Sequence, residues 1–98
     1  MQFVITAYDG KIVLDKRMAV RPRHLKGMQK LIDHIVCAGG ILDDEGKPKG
    51  SVLVMNFESR NDIDAYLAEE PYVVEGVWDK IVIEPMNVVI LDGKIAGK

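Results

Sequence analysis

The chain has 98 residues, 48% of them hydrophobic and 29% charged, which is the size of one domain and the balance of a folded globular protein. Its net charge is −2 and its thirteen Lys and Arg are scattered rather than gathered into a stripe, which argues against a nucleic-acid partner. No run of about 18 apolar residues and no basic, apolar leader is present, so neither a membrane span nor export is expected, and a cytoplasmic location follows.

Gln2 to Tyr8 alternates as a strand, with Phe3, Ile5 and Ala7 on one face and Val4, Thr6 and Tyr8 on the other. One more residue of alternation puts Asp9 on the Phe3/Ile5 face, although Asp9-Gly10 is also a turn dipeptide. Leu14 to Ile35 reads as helical, because Leu25, Met28, Leu31, Ile32 and Ile35 recur at three- and four-residue spacing. Pro22 costs about 3 kcal/mol in a helix interior, so the main helix is expected to start near Arg21, or a preceding turn over Leu14 to Val20 to join it by a bend. If the register survives Pro22, then Arg17, Arg21, His24, Met28, Leu31 and Ile35 form one stripe, cationic at one end and apolar at the other.

Cys37 is the single cysteine and cannot form an internal disulfide; inside Ile35-Val36-Cys37-Ala38 it reads as a small buried hydrophobe. Gly39-Gly40 lacks the spacing of a phosphate loop and reads as a bulge or bend. A short strand at Ile41-Leu42, a polar hairpin loop over Asp43 to Gly50 and an apolar strand from Ser51 to Phe57 follow. Ser59 and Asp62 resemble a capping box opening a helix whose inner face is Ile63, Tyr66 and Leu67, and Glu70-Pro71 ends it or begins a further short turn. Val77 to Glu84 is a strand stopped by Pro85, and Val88 to Leu91 adds a short fifth. A single domain over residues 1–91 with a frayed tail over 92–98 is expected.

The order strand, helix, strand, strand, helix, strand is that of an α+β, ferredoxin-like domain. Helices then cover one face of the sheet, and the other, taken to carry Val52, Val54, Ile81 and Ile83, needs burying; two sheets pairing across a two-fold axis do this cheaply for so short a chain. A homodimer is therefore expected.

A residue just after the first strand and one early in the helix that crosses back over the sheet can come within reach, so Asp9 and His24 form a candidate pair. Such a carboxylate fixes the imidazole tautomer and makes His24 a usable general base. The spacing alone is a weak signal and fits better a solvated histidine beside a turn aspartate. Arg17 and Arg21 suit an anionic group or oxyanion, or else form a solvated, ion-paired face. Tyr72 and Trp78 suit an aromatic pocket or core packing, and His34, near the helix end, reads as surface. Two histidines and one distant cysteine match no zinc spacing, and no nucleotide-binding glycine motif occurs, so no metal or cofactor is expected.

Three stretches taken together resemble the YCII-related family: Phe3-Val4-Ile5-Thr6-Ala7-Tyr8-Asp9, Asp15-Lys16-Arg17-Met18-Ala19-Val20-Arg21-Pro22-Arg23-His24-Leu25, and Glu70-Pro71-Tyr72-Val73-Val74-Glu75-Gly76-Val77. The resemblance covers roughly residues 1–90. It implies a dimeric α+β barrel of ferredoxin-like subunits and a His–Asp dyad, which falls on His24 and Asp9; on their residue types Arg17, Arg21 and Tyr72 are expected to bind the substrate beside it. It further implies a cofactor-independent lyase of the dehydrochlorinase type, acting on a small oxygenated aromatic ring such as a chloro-hydroxyhydroquinone. A small-molecule binding or regulatory module without catalysis is the alternative. The compact Asp43 to Lys49 loop is shorter than in many relatives.

Overall fold

The computed structural model describes residues 1–96. Its elements are β1 (Gln2–Asp9), α1 (Leu14–Lys30), a 3₁₀ turn (Ile32–His34), β2 (Ile35–Leu42), β3 (Pro48–Asn56), α2 (Arg60–Glu69), α3 (Pro71–Val74), β4 (Trp78–Met86), β5 (Ile90–Leu91) and β6 (Lys94–Ile95). The first four strands form one antiparallel sheet in the order β2-β3-β1-β4, the arrangement of the ferredoxin-like fold.

Phe3, Ile5 and Ala7 face the helices, as their alternation requires, and pair across the sheet with Met55, Leu53 and Ser51 of β3. Onto this layer α1 lowers Val20 and Met28, α2 Ile63 and Tyr66, and α3 Tyr72. Fully burying an aliphatic side chain such as Ile5, Leu53 or Ile63 stabilises by roughly 1.5–3 kcal/mol each.

Several expectations are corrected. The first helix is continuous from Leu14 through Pro22 and stops at Lys30, so Ile35 opens a strand instead of ending a helix. Cys37 then lies in β2 and is exposed rather than buried. Gly39 and Gly40 are paired residues within β2, opposite Val52 and Ser51, and the register shifts of that strand fall elsewhere. Ile81 and Ile83 stand opposite Ala7 and Ile5 and pack against the core, so the open face takes Val82 from β4, beside Val4, Val52 and Val54. The sequence Ile81-Val82-Ile83 is apolar at every position, so alternation could not choose between its two faces.

Ser59 is the N-cap of α2, but its hydroxyl donates to the Asp62 side chain at 3.4 Å and caps no backbone group. β4 continues past Pro85 to Met86, which an edge strand permits because a missing N–H there breaks no ladder on the outer side. Asp92 and Gly93, both at positive φ, turn β5 into β6, so residues through Ile95 form a hairpin rather than a frayed tail. The remainder of the expected tail, residues 97–98, lies outside the described residues. No helix of the described residues is long and apolar enough to cross a membrane.

Candidate functional site

The stripe anticipated on α1 survives Pro22 as far as the helix lasts. Arg17, Arg21, His24 and Met28 follow one another at four-, three- and four-residue intervals and all line one cleft, of about 680 Å³, between α1 and the β2–β3 edge of the sheet. The facing wall is Ala38, Gly39, Gly40, Ser51 and Leu53, with Tyr72 contributed by α3. Glycine at 39 and 40 leaves the strand without side chains where the cleft needs room. A second cavity of about 720 Å³, bounded by Met1, Gln2, Asn56, Met86 and Val88, has no ionisable side chain in its wall among the described residues. The titratable side chains Arg17, Arg21, His24 and Tyr72 line the first.

Asp9 reaches the helix side of the sheet, as its parity predicts, and a register shift between Tyr8 and Asp9 helps to aim it. Its two carboxylate oxygens accept from Nη1 of Arg17 at 2.8 and 3.1 Å. Nη2 of Arg17 donates to the Gly50 carbonyl at 3.2 Å and to Ser51 Oγ at 3.0 Å, so one guanidinium ties α1 to the ends of β1 and β3. Both side chains are nearly sequestered, at 7% and 6% exposure. Burial pushes the Asp9 carboxyl above its ordinary range, and the charge and hydrogen bonds of Arg17 pull it back.

The expected Asp9–His24 contact is therefore replaced. His24 Nδ1 lies 2.7 Å from Oε1 of Glu70, the residue that joins α2 to α3. Its ring stacks on Tyr72 with centroids 4.2 Å apart and planes at 19°, and meets Trp78 edge-on at 6.1 Å. The Arg17 guanidinium lies 4.8 Å from the centroid of the same Tyr72 ring. Tyr72 thus links the Arg17–Asp9 pair to the His24–Glu70 pair. Burial holds the Tyr72 phenol above its ordinary range, against the pull of Arg17 and Arg21, so it presents a neutral hydroxyl at neutral pH.

Arg21 is exposed on the cleft wall and forms no ion pair among the described residues. The guanidinium of Arg17, by contrast, is largely occupied by Asp9, Gly50 and Ser51. His34 is exposed, with Nδ1 3.0 Å from the Asn56 carbonyl, and stands outside the cleft. Trp78 is buried in the core. No group of three or more His, Cys, Asp or Glu among the described residues is placed to hold a metal ion.

Glu70, Ser51 and Gly50 were not singled out from sequence. Ser51 and Gly50 gave no signal, since their part is set by where Arg17 lands. Glu70 gave a partial one: it follows Tyr66, on the inner face of α2, by four residues, and it precedes a proline that starts a new helix.

The YCII-related domain model matches residues 1–87. The chain belongs to the YCII-related family. Among curated proteins, Protein YciI of Escherichia coli O6:H1 is 34% identical over 95 residues, spanning 89% of this chain and 97% of that protein. Aspercryptin biosynthesis cluster protein B of Emericella nidulans is 37% identical over 87 residues, spanning 80% of this chain and 56% of that protein. Among solved structures, the 5-chloro-2-hydroxyhydroquinone dehydrochlorinase of Burkholderia phenoliruptrix, in complex with 2,5-dihydroxybenzoquinone, superposes with a TM-score of 0.82 at 24% identity, covering 88% of this chain and 93% of that one. At that identity the likeness shows the fold, which this YCII-related chain shares.

Proposed function

We propose that the cleft between α1 and β2 is the active site of a cofactor-independent acid–base enzyme acting on a small oxygenated ring, with His24 as its general base. The observation that supports this is a single one: one cleft gathers an imidazole, an unpaired arginine and a neutral phenol together with Leu25, Met28, Ile32 and Ile35. A planar apolar ring bearing hydroxyl groups matches such a mixed lining. The family and the fold shared with a dehydrochlorinase support the same reading.

On a chloro-hydroxyhydroquinone, His24 removes one ring hydroxyl proton, and the electrons pushed into the ring let the carbon bearing chlorine take a proton back. Loss of a second hydroxyl proton then expels chloride and leaves a hydroxyquinone, so the net change is loss of HCl. Arg21 steadies the ring oxyanion, Tyr72 stacks against His24 and offers its hydroxyl, and Asp9 acts through Arg17, whose charge it balances.

The dimer belongs to this reading. The sheet face away from the helices carries Val4, Val52 and Val82, and Val82 is 37% exposed.

The test is to incubate the protein with 5-chloro-2-hydroxyhydroquinone and follow chloride release, alongside His24→Ala. Release by the wild type, lost in the variant while its circular dichroism is unchanged, is the expected result. Equal release by the two proteins overturns the role of His24, and tight binding of 2,5-dihydroxybenzoquinone with no turnover would assign the cleft to binding alone.

A further inference from the structure

Glu70 is 2% exposed, and a carboxylate taken that far out of water is tolerated only when its oxygens are well supplied with donors. It has three. Oε2 accepts from the Tyr66 hydroxyl at 2.5 Å, and Oε1 accepts from the Tyr72 backbone N–H at 3.1 Å and faces His24 Nδ1 at 2.7 Å. The Tyr72 bond caps the first turn of α3, so the carboxylate is fixed by backbone as well as by side chains.

An ionised carboxylate only accepts hydrogen bonds, so the neutral His24 ring must carry its proton on Nδ1 and leave the lone pair on Nε2. We propose that Glu70 is the positioning residue of His24: it fixes the Nδ1–H tautomer, turns Nε2 into the proton-accepting atom and balances the imidazolium once formed. Nothing in the sequence spacing assigned it this part, which had fallen to Asp9. The role deepens the reading of His24 as a base and rests on it for its catalytic meaning.

The charged and titratable groups around the ring come from every packed element. Arg17 and Arg21 on α1 oppose a positive ring, and Asp9 on β1 is bound to Arg17 and offsets it. Tyr72 on α3 is a neutral stacking partner, and Tyr66 on α2 donates to Glu70. Of these, Glu70 alone hydrogen-bonds the ring. Burial and the neighbouring Glu70 push the Tyr66 phenol far above its ordinary value, so it remains a donor throughout the working range.

The experiment is ¹⁵N NMR of the histidine ring nitrogens in the ligand-free protein, which needs no substrate and stands apart from the function assigned above. In the wild type the neutral ring is expected to be Nδ1–H. Glu70→Gln is expected to keep that tautomer, because the Tyr72 N–H selects the amide oxygen for the position facing the ring. Glu70→Leu is expected to lose it, with Nε2–H becoming the major form. A wild-type ring protonated on Nε2 overturns the proposal whether or not any variant folds, as does an unchanged tautomer in a folded Glu70→Leu. If the tautomers behave as expected and chloride release does not occur, the positioning role stands and the chosen substrate falls.

Discussion

Arg17 holds both oxygens of Asp9, at 2.8 and 3.1 Å, while its other terminal nitrogen reaches β3. Two charges so nearly removed from water depend on one another. Deleting one leaves the other uncompensated, at a cost of roughly 3–5 kcal/mol, although replacing both with apolar side chains of similar volume can be neutral. Asp9→Asn and Arg17→Met are each expected to lower stability by about 3 kcal/mol in urea titrations, and Asp9→Leu with Arg17→Met to recover part of that loss. Strict additivity of the two losses would mean that the contact contributes nothing of its own.

Gly50 has a steric reason to be glycine. A Cβ there would stand 2.5 Å from the Ala7 carbonyl oxygen, a backbone atom that cannot swing aside, and the Gly50 carbonyl is itself a partner of Arg17. Gly50→Ala is expected to destabilise by about 2 kcal/mol or more through forced displacement of β1 from β3. Gly39→Ala is the control, since nothing lies within 4 Å of its added Cβ. Thermal melts should separate the two, and an equal effect would refute the steric account.

Tyr66 makes stability sensitive to alkali. Its phenol in the folded protein is held well above the ordinary value of 10, so above pH 10 the unfolded chain releases a proton that the folded chain retains. The contribution is fully present below pH 10 and is lost as pH rises past it, by up to about 1.4 kcal/mol per pH unit for one group. Tyr72 is shifted in the same direction, so Tyr66→Phe should make the decline between pH 10 and 11 shallower without removing it. The measurement is chemical denaturation at a series of alkaline pH values.

The open sheet face predicts a dimer. Wild-type protein is expected to sediment at twice the chain mass, and Val52→Lys combined with Val82→Lys to sediment as a monomer with its secondary structure kept, because unpaired lysines would be buried across the two-fold axis. A wild-type monomer at micromolar concentration would remove the dimer from the proposed function.

Local pattern determined much of this molecule. The period-2 alternation of Phe3, Ile5 and Ala7 chose the buried face of β1, and helical spacing put Arg17, Arg21, His24 and Met28 on one wall of one cleft, even across Pro22. The order of strands and helices gave the sheet topology, because few arrangements bury such elements. Chain-local rules could not assign partners. Asp9 pairs with a residue eight positions away and His24 with one forty-six away, and which carboxylate meets which cation depends on how α1 and the α2–α3 junction dock onto the sheet. The same limit explains Cys37, which changed from buried to exposed once its apolar run became an edge strand, and Ile81-Val82-Ile83, whose inward face was set by pairing with β1. Periodicity says which side of an element is apolar; only packing decides what that side meets.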